Sequence, residues 1–295
     1  MQHNRILAGA IALLLFAANG SASAQNTSGA PIPEQPTFDK SDPARHGQQL
    51  AEYSDIYDQG WKDGVNQGLM TLFNAEGDSV RRSFTRMVME QAETGDKLIT
   101  KFLSPAEIKG VAVLTHENPG SSDDNWLYLP SNKRVRRISG ANNTASFQGT
   151  EFTYEDLSSL DPQEYEWRFR QEQDLERDGK QLPVYKLHAK PTYKDTGYSH
   201  IIVYLHRDNW RQERIEYYDK AGQLLKTREA GQWSLHHGRF WRAQTIEMTN
   251  HQTGKRTRLE VKKDFLNMSL YKSKKTGKAR PNLSADLFTT RSIQG

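Results

Sequence analysis

The side chains able to do chemistry in this sequence are its nine histidines and a few neighbouring carboxylates and serines, because cysteine is absent. That absence removes thiol nucleophiles, Cys-based metal sites and disulfide staples together. His236 and His237 are adjacent and point to opposite faces if they lie on a strand. His200 and His206 share a strand face, but their spacing puts them roughly 20 Å apart, too far to hold one ion. His188 has no second ligand near it in sequence, and no H-E-x-x-H pattern occurs, so no metal and no other cofactor is expected. Ser139-Gly140 and Ser146 sit in a Gly/Asn/Thr stretch without the G-x-S-x-G elbow that exposes a nucleophilic serine. Paired carboxylates occur at Asp123-Asp124, Glu155-Asp156 and Glu164/Glu166, but nothing around them supports acid/base catalysis. Asp156, three residues after Thr153, instead resembles a capping box, where negative charge complements a helix N-terminus. No catalytic residue is assigned, and binding is expected rather than enzymatic turnover.

The elements that would hold these residues are mostly strands. A helix is expected from Pro43 to about Tyr57, with Leu50, Tyr53 and Tyr57 at helical spacing, followed by a loop past Trp61, Gly64 and Gly68. Val80 to Met89 and Lys97 to Leu103 flank the turn Glu93-Thr94-Gly95-Asp96, and a short helix at Pro105 to Lys109 precedes a strand from Val111 to His116. Tyr165, Trp167 and Phe169 alternate with Glu164, Glu166, Arg168 and Arg170, which is a half-buried antiparallel strand with one aromatic face. Leu259, Val261 and Phe265 alternate with charged residues in the same way. Between them, strands are expected over 181–189, 200–206, 212–218, 223–227 and 240–248, and a capped turn over 284–289. The pattern is mainly β, with about ten short strands at hairpin spacing, and predicts one highly curved antiparallel sheet.

The densest stretch is DDNWLYLPSNKRVRRISGANNTASFQGTEFTYEDLSSL, from Asp123 to Leu160. It reads as a strand over Asn125 to Leu129, a turn at Pro130-Ser131-Asn132, a basic strand over Lys133 to Ser139, and a helix start at Thr153 or Tyr154. Its Trp-Leu-Tyr-Leu-Pro and Arg-Val-Arg-Arg-Ile strands, followed by Phe147, Gly149, Phe152, Tyr154, Glu155 and Asp156, resemble the outer-membrane lipoprotein-sorting proteins of the LolA-like superfamily. The likeness is to the branch associated with RND-type exporters. It implies an unclosed β-barrel whose open side is covered by helices, with an apolar cavity between. It also implies a carrier that takes an acylated lipoprotein or lipid from an inner-membrane exporter, or else a periplasmic sensor built on the same fold. Trp126 and Tyr128 share one strand face, as do Tyr165, Trp167 and Phe169; with Phe152 they are the candidate lipid-binding residues. Arg134, Arg136 and Arg137 are the candidate contacts for an acidic partner or for lipid headgroups. Val135 and Ile138 lie an odd number of positions apart, so either a bulge intervenes or both faces of that strand are covered.

Residues 1–24 have the three parts of a secretory signal peptide: Arg5, the apolar run Ile6 to Ala18, and Ala22-Ser23-Ala24 before Gln25. A periplasmic product is therefore expected, with a Pro-rich, mobile lead-in over 25–42 and one LolA-like domain over 43–295. The chain has 40 Lys+Arg against 36 Asp+Glu, and loss of Arg5 lowers its formal net charge from +4 to +3. No nucleic-acid-binding motif accompanies that mild basicity; peripheral contact with anionic lipid fits it better. Aromatics make 10% of the chain while mean hydropathy is −0.83, so the apolar surface must be concentrated on a few faces.

Overall fold

Asp42-Pro43 is a helix start by chemistry: the Asp42 carboxylate accepts from Ala44 N at 2.9 Å, and proline needs no amide partner at the first turn. The computed structural model describes residues 30–138 and 140–294, so the signal-peptide reading lies outside the described residues. Helix α1 (Pro43–Tyr57) follows, burying Leu50, Ala51 and Tyr53. The lead-in over 30–42 has no regular structure, as its prolines require, but it is packed down. Phe38 sits between His46, Tyr53 and Trp210, and Tyr53 Oη donates to Pro33 O at 2.9 Å.

Thirteen strands follow among the described residues. The first six are β1 (Asp63–Phe73), β2 (Ser79–Met89), β3 (Lys97–Ser104), β4 (Ala112–Asn118), β5 (Ser121–Leu129) and β6 (Arg134–Ile138). The remainder are β7 (Tyr165–Arg177), β8 (Lys180–Pro191), β9 (His200–His206), β10 (Gln212–Tyr218), β11 (Leu224–His236), β12 (Phe240–Asn250) and β13 (Arg256–Leu266). All belong to one antiparallel sheet, ordered β6-β5-β4-β3-β2-β1-β13-β12-β11-β10-β9-β8-β7. β6 and β7 follow one another in the chain yet form the two opposite edges, so the barrel is unclosed. Residues 140–164 carry the chain across the gap.

Three expectations are corrected. The expected loop past Gly64 and Gly68 is strand β1. Its glycines mark crowding rather than a turn: the register with β13 shifts at Gln67/Gly68, and a Cβ on Gly68 would lie 2.4 Å from Glu260 O. Pro105 to Lys109 is a hydrogen-bonded turn, not a helix, with Ile108 N and Lys109 N both donating to Pro105 O. β11 runs to His236 instead of ending at Thr227. The open side carries a single α-helix among the described residues, supplemented by short 3-10 turns. α1 lies directly on β7, where Gly47 allows contact; a Cβ there would come within 2.5 Å of Phe169 N. The helix thereby shields a long free strand edge.

Every strand sends at least one side chain into the principal apolar cluster, from Met70 on β1 and Phe84 on β2 to Met248 on β12 and Leu259 on β13. A flat sheet of this width could not bring its two edges to one cluster, so this convergence is the packing signature of the curvature. A second, smaller cluster lies on the other face of β2 to β6, where Phe288 and Ile293 of the C-terminal tail cover Ile99, Ala112, Leu114 and Tyr128. Buried Asp63 anchors that tail by accepting from Met268 N, Asn282 Nδ2 and Leu283 N. The register of β5 with β6 is unbroken. Val135 packs into the tail-side cluster and Ile138 into the principal one, so both faces of β6 are covered and no bulge intervenes.

Candidate functional site

Within the curved sheet, the crossing segment supplies its own filling. Phe147 stacks on Phe102 at 5.7 Å and meets Tyr154 edge-on at 5.7 Å; Phe147, Phe152 and Tyr154 are all buried. The segment is fixed by two carboxylates. Asp156 accepts from Thr153 N at 2.6 Å, Tyr198 Oη at 2.7 Å and Lys226 Nζ at 2.5 Å, and Lys226 also donates to Glu151 O. The Asp156 and Lys226 side chains are 1% and 2% exposed, which makes this a desolvated and fully partnered ion pair. Glu155 accepts from Tyr193 Oη, Thr196 Oγ1 and Gly197 N, and burial raises its pKa. The expected capping role of Asp156 is present, and the tie to Lys226 is added to it.

Two cavities flank this filled centre. One, of about 240 Å³, lies beneath α1 and is walled by Trp167, Leu187, Val203, Leu205, Trp210, Trp233 and Trp241. Arg211, Arg228 and Arg239 line it as well, with Asp55 and Asp58 from the end of α1. Arg211 is held by Glu213 at 2.9 Å and lies over the rings of Trp233 and Trp241 at 5.0 and 4.6 Å. Burial lowers the pKa of Arg211 and of Arg239, which remain cations because an arginine pKa starts so high. The other cavity is an open groove of about 780 Å³ between Val80, Ile108, Val111, Leu129 and Pro130, with Gln148 of the crossing segment on its rim. Arg82 Nη1 donates to Gln148 O at 2.6 Å across that rim.

An acidic group adjoins the first cavity. Ser159 lines the cavity while its N and Oγ donate to Glu117 at 2.9 and 3.0 Å. Burial, reinforced by Asp96 and Asp123, pushes Glu117 up to about 7. Glu164 rises to about 7 by burial and the neighbouring Asp123, Asp161 and Glu117; Asp96 rises to about 6, chiefly by burial. Arg86 is the cation facing Glu117 and Asp96. Among the described residues, no group of three or more His, Asp or Glu is arranged to hold a metal ion. His188 does have a neighbour, because strand pairing stacks its ring on His200 at 4.9 Å. Sequence separation had hidden that contact.

A model of a family described as an uncharacterized protein matches residues 94–294. No curated protein matches the chain. Among solved structures, an outer membrane lipoprotein-sorting protein domain from Vibrio parahaemolyticus is 34% identical, covering 85% of this chain and 100% of its own, with a TM-score of 0.76. The chain belongs to the outer-membrane lipoprotein-sorting family. A DUF1329 family protein from Desulfovibrio piger is 25% identical over 86% of this chain and 100% of its own, with a TM-score of 0.75. A LolA superfamily protein from Nitrosomonas europaea, at 16% identity, 83% and 98% coverage and a TM-score of 0.61, shares the fold.

In this member of the family the six candidate lipid-binding residues do not form one wall. Phe152, Tyr165, Trp167 and Phe169 belong to the principal cluster. Trp126 and Tyr128 point to the other face, against the C-terminal tail, because they alternate with Leu127 and Leu129. Of the six, only Trp167 lines either cavity, and its Nε1 donates to Pro162 O at 3.0 Å. The basic strand divides too. Arg134 and Arg136 are exposed on the face shared with Ile138, whereas Arg137 points the other way and pairs with Asp124. Sequence reasoning missed Arg228, Arg239 and Trp210. The one available signal was that β11 is polar on both faces, with Lys226 and Arg228 alternating with Thr227 and Glu229, which a solvated strand and a strand with buried charge share.

Proposed function

We propose that this protein is a periplasmic carrier, released from a signal peptide over 1–24, that receives an acylated lipoprotein or lipid from an inner-membrane RND-type exporter. It shields the acyl chains and moves them towards the outer membrane without chemical change. The observation that carries the reading is the convergence of all thirteen strands on one aromatic-rich apolar interior that opens to a groove. The groove's volume of about 780 Å³ falls in the roughly 300–1,000 Å³ range of small-molecule sites. Val80, Ile108, Val111 and Leu129 form its apolar wall, and Val80 is 55% exposed. Ten sequestered methylenes would contribute about 8 kcal/mol at roughly 0.8 kcal/mol each. That gain is relative to water; against a bilayer, which shields the same methylenes, the exchange is close to balanced and therefore reversible. Arg134 and Arg136, exposed on an edge strand, are the proposed contact with an acidic exporter surface or with headgroups.

The test is mass spectrometry of the organic extract of the purified protein, paired with retention of a fluorescent fatty-acyl probe. Co-purified lipid and retained probe are expected, and Leu129→Arg in the groove wall should abolish retention while the fold persists. A wild-type protein with no lipid in its extract and no probe retention would end the carrier reading.

A further inference from the structure

Resting on that carrier reading, we propose that the cavity beneath α1 is an anionic headgroup site: Arg228 and Arg239 bind the phosphate or carboxylate of a lipid. The cargo class is thereby an anionic lipid, in preference to an acylated cysteine whose glyceride carries no charge.

Two guanidiniums that line this cavity have donors left over. Arg228 Nη2 donates to Gln212 Oε1 at 3.0 Å and Arg239 Nη2 to Tyr57 O at 3.1 Å, both neutral acceptors. The Nε atoms of both arginines are buried without a hydrogen-bond partner, as is Asn209 Oδ1, and all three residues line this cavity. Arg239 is only 4% exposed. Buried donors normally find acceptors, so two cavity-lining guanidiniums that each lack one fit an acceptor brought from outside. The planar guanidinium fork matches carboxylate and phosphate geometry.

The charge balance has the same sign. Asp55 and Asp58 face the cavity from α1, but Asp58 pairs with Arg242 at 2.7 Å and Asp55 accepts from Gln59 Nε2 at 3.0 Å. Behind the wall, Glu213 serves both Arg177 and Arg211. Three cations (Arg211, Arg228, Arg239) and two carboxylates (Asp55, Asp58) line the cavity, an excess of one positive charge, with Glu213 beside Arg211 and Glu90 beside Arg239. The cavity's volume of about 240 Å³ lies below the roughly 300–1,000 Å³ of a whole-ligand site, which suits a headgroup. Trp167, Leu187, Val203 and Leu205, all members of the principal cluster, form the apolar part of its wall, so an anionic group joined to an apolar stem matches the lining.

The experiment titrates the mature chain with dihexanoyl phosphatidic acid, dihexanoylglycerol and sodium phosphate, reading tryptophan fluorescence and calorimetry. Phosphatidic acid should bind at least about tenfold more tightly than dihexanoylglycerol, and phosphate alone should bind only weakly. Arg228→Gln should remove that preference and leave dihexanoylglycerol binding and the melting temperature unchanged. Should Arg228→Gln fail to fold, Arg228→Lys, which keeps the charge and loses the fork, carries the same comparison. Equal binding of the two lipids, or an equal loss of both in Arg228→Gln, would overturn the headgroup site. Phosphate binding as tightly as phosphatidic acid would reassign it to a free anion. Failure of dihexanoylglycerol to bind at all, with phosphatidic acid still bound, would count against the acyl-chain carrier and not against the anion site.

Discussion

Lys226 and Arg228 leave the same face of β11 two residues apart, and both are cations on the inner side of the sheet. Lys226 has a resident counter-ion in Asp156, a carbonyl acceptor in Glu151, and the rings of Tyr198 and Tyr217 within 5.4 Å. Arg228 has one neutral acceptor, an unpartnered Nε and a cavity. Taking a charge out of water is costly unless it is paired and hydrogen-bonded. The first cation is therefore part of the architecture, riveting the crossing segment to the sheet, and the second is a group left open to an outside partner. Similar residues on one strand thus carry different duties, decided by what faces them.

That contrast is most severely tested at Lys226. Lys226→Met should leave the Asp156 carboxylate buried without its ion and cost about 3–5 kcal/mol, seen as a large drop in the urea midpoint. The double variant Lys226→Met/Asp156→Leu should recover most of it. Near-wild-type stability in the single variant would show that the pair is not what fastens the segment.

The acidic group around Glu117 extends the test to unpaired anions. Its folded-state pKa values lie above those of the free side chains, so the native state holds protons more tightly than the unfolded chain. Its stabilising contribution is complete below about pH 4 and is lost as pH rises to about 7, the value for Glu117 and Glu164. Glu117→Gln/Glu164→Gln should flatten the fall in denaturation midpoint between pH 4.5 and 8 and raise stability at pH 8. An unchanged slope would remove these residues from the account.

Arg228→Met should change stability by no more than about 1 kcal/mol, in either direction, since Arg228 is only half-buried and replacing an uncompensated charge by an apolar chain is often neutral or favourable. A loss comparable with that at Lys226 would erase the distinction. The smallest effect is expected at Arg134→Glu/Arg136→Glu, within about 0.5 kcal/mol because both side chains are exposed. Association with anionic vesicles should weaken in this variant, and added salt should weaken the wild-type contact.

Much of the sheet was legible because alternation survives wherever one face is buried and the other wet. β7, with Tyr165 and Trp167 inward and Glu166 and Arg168 outward, is the clearest case. β1 was hidden because Gly64 and Gly68 usually signal loops, and only the neighbouring backbone of β13 reveals why they are glycine. β11 was cut short because inward Lys226 and Arg228 imitate a solvated face. Trp126 and Tyr128 were correctly placed on one strand face, but which face turns inward depends on the tail at Phe288 and Ile293, some 160 residues away. The arginine cavity had no local signature, since α1, the turn at Trp210 and β11 meet only in three dimensions.

The seam between β1 and β13 sets the order in which the molecule can be completed. β1 to β6 and β7 to β13 are each a run of successive hairpins, whereas Gly64 finds its partner at Leu266. Pairings of such long range carry the loop-closure entropy and form slowly. Until residue 266 has been synthesised, the amino-terminal half has a bare edge at β1, with Val65, Leu69 and Phe73 along it, available to strands of other chains. The last strand to be made is the one that protects the first.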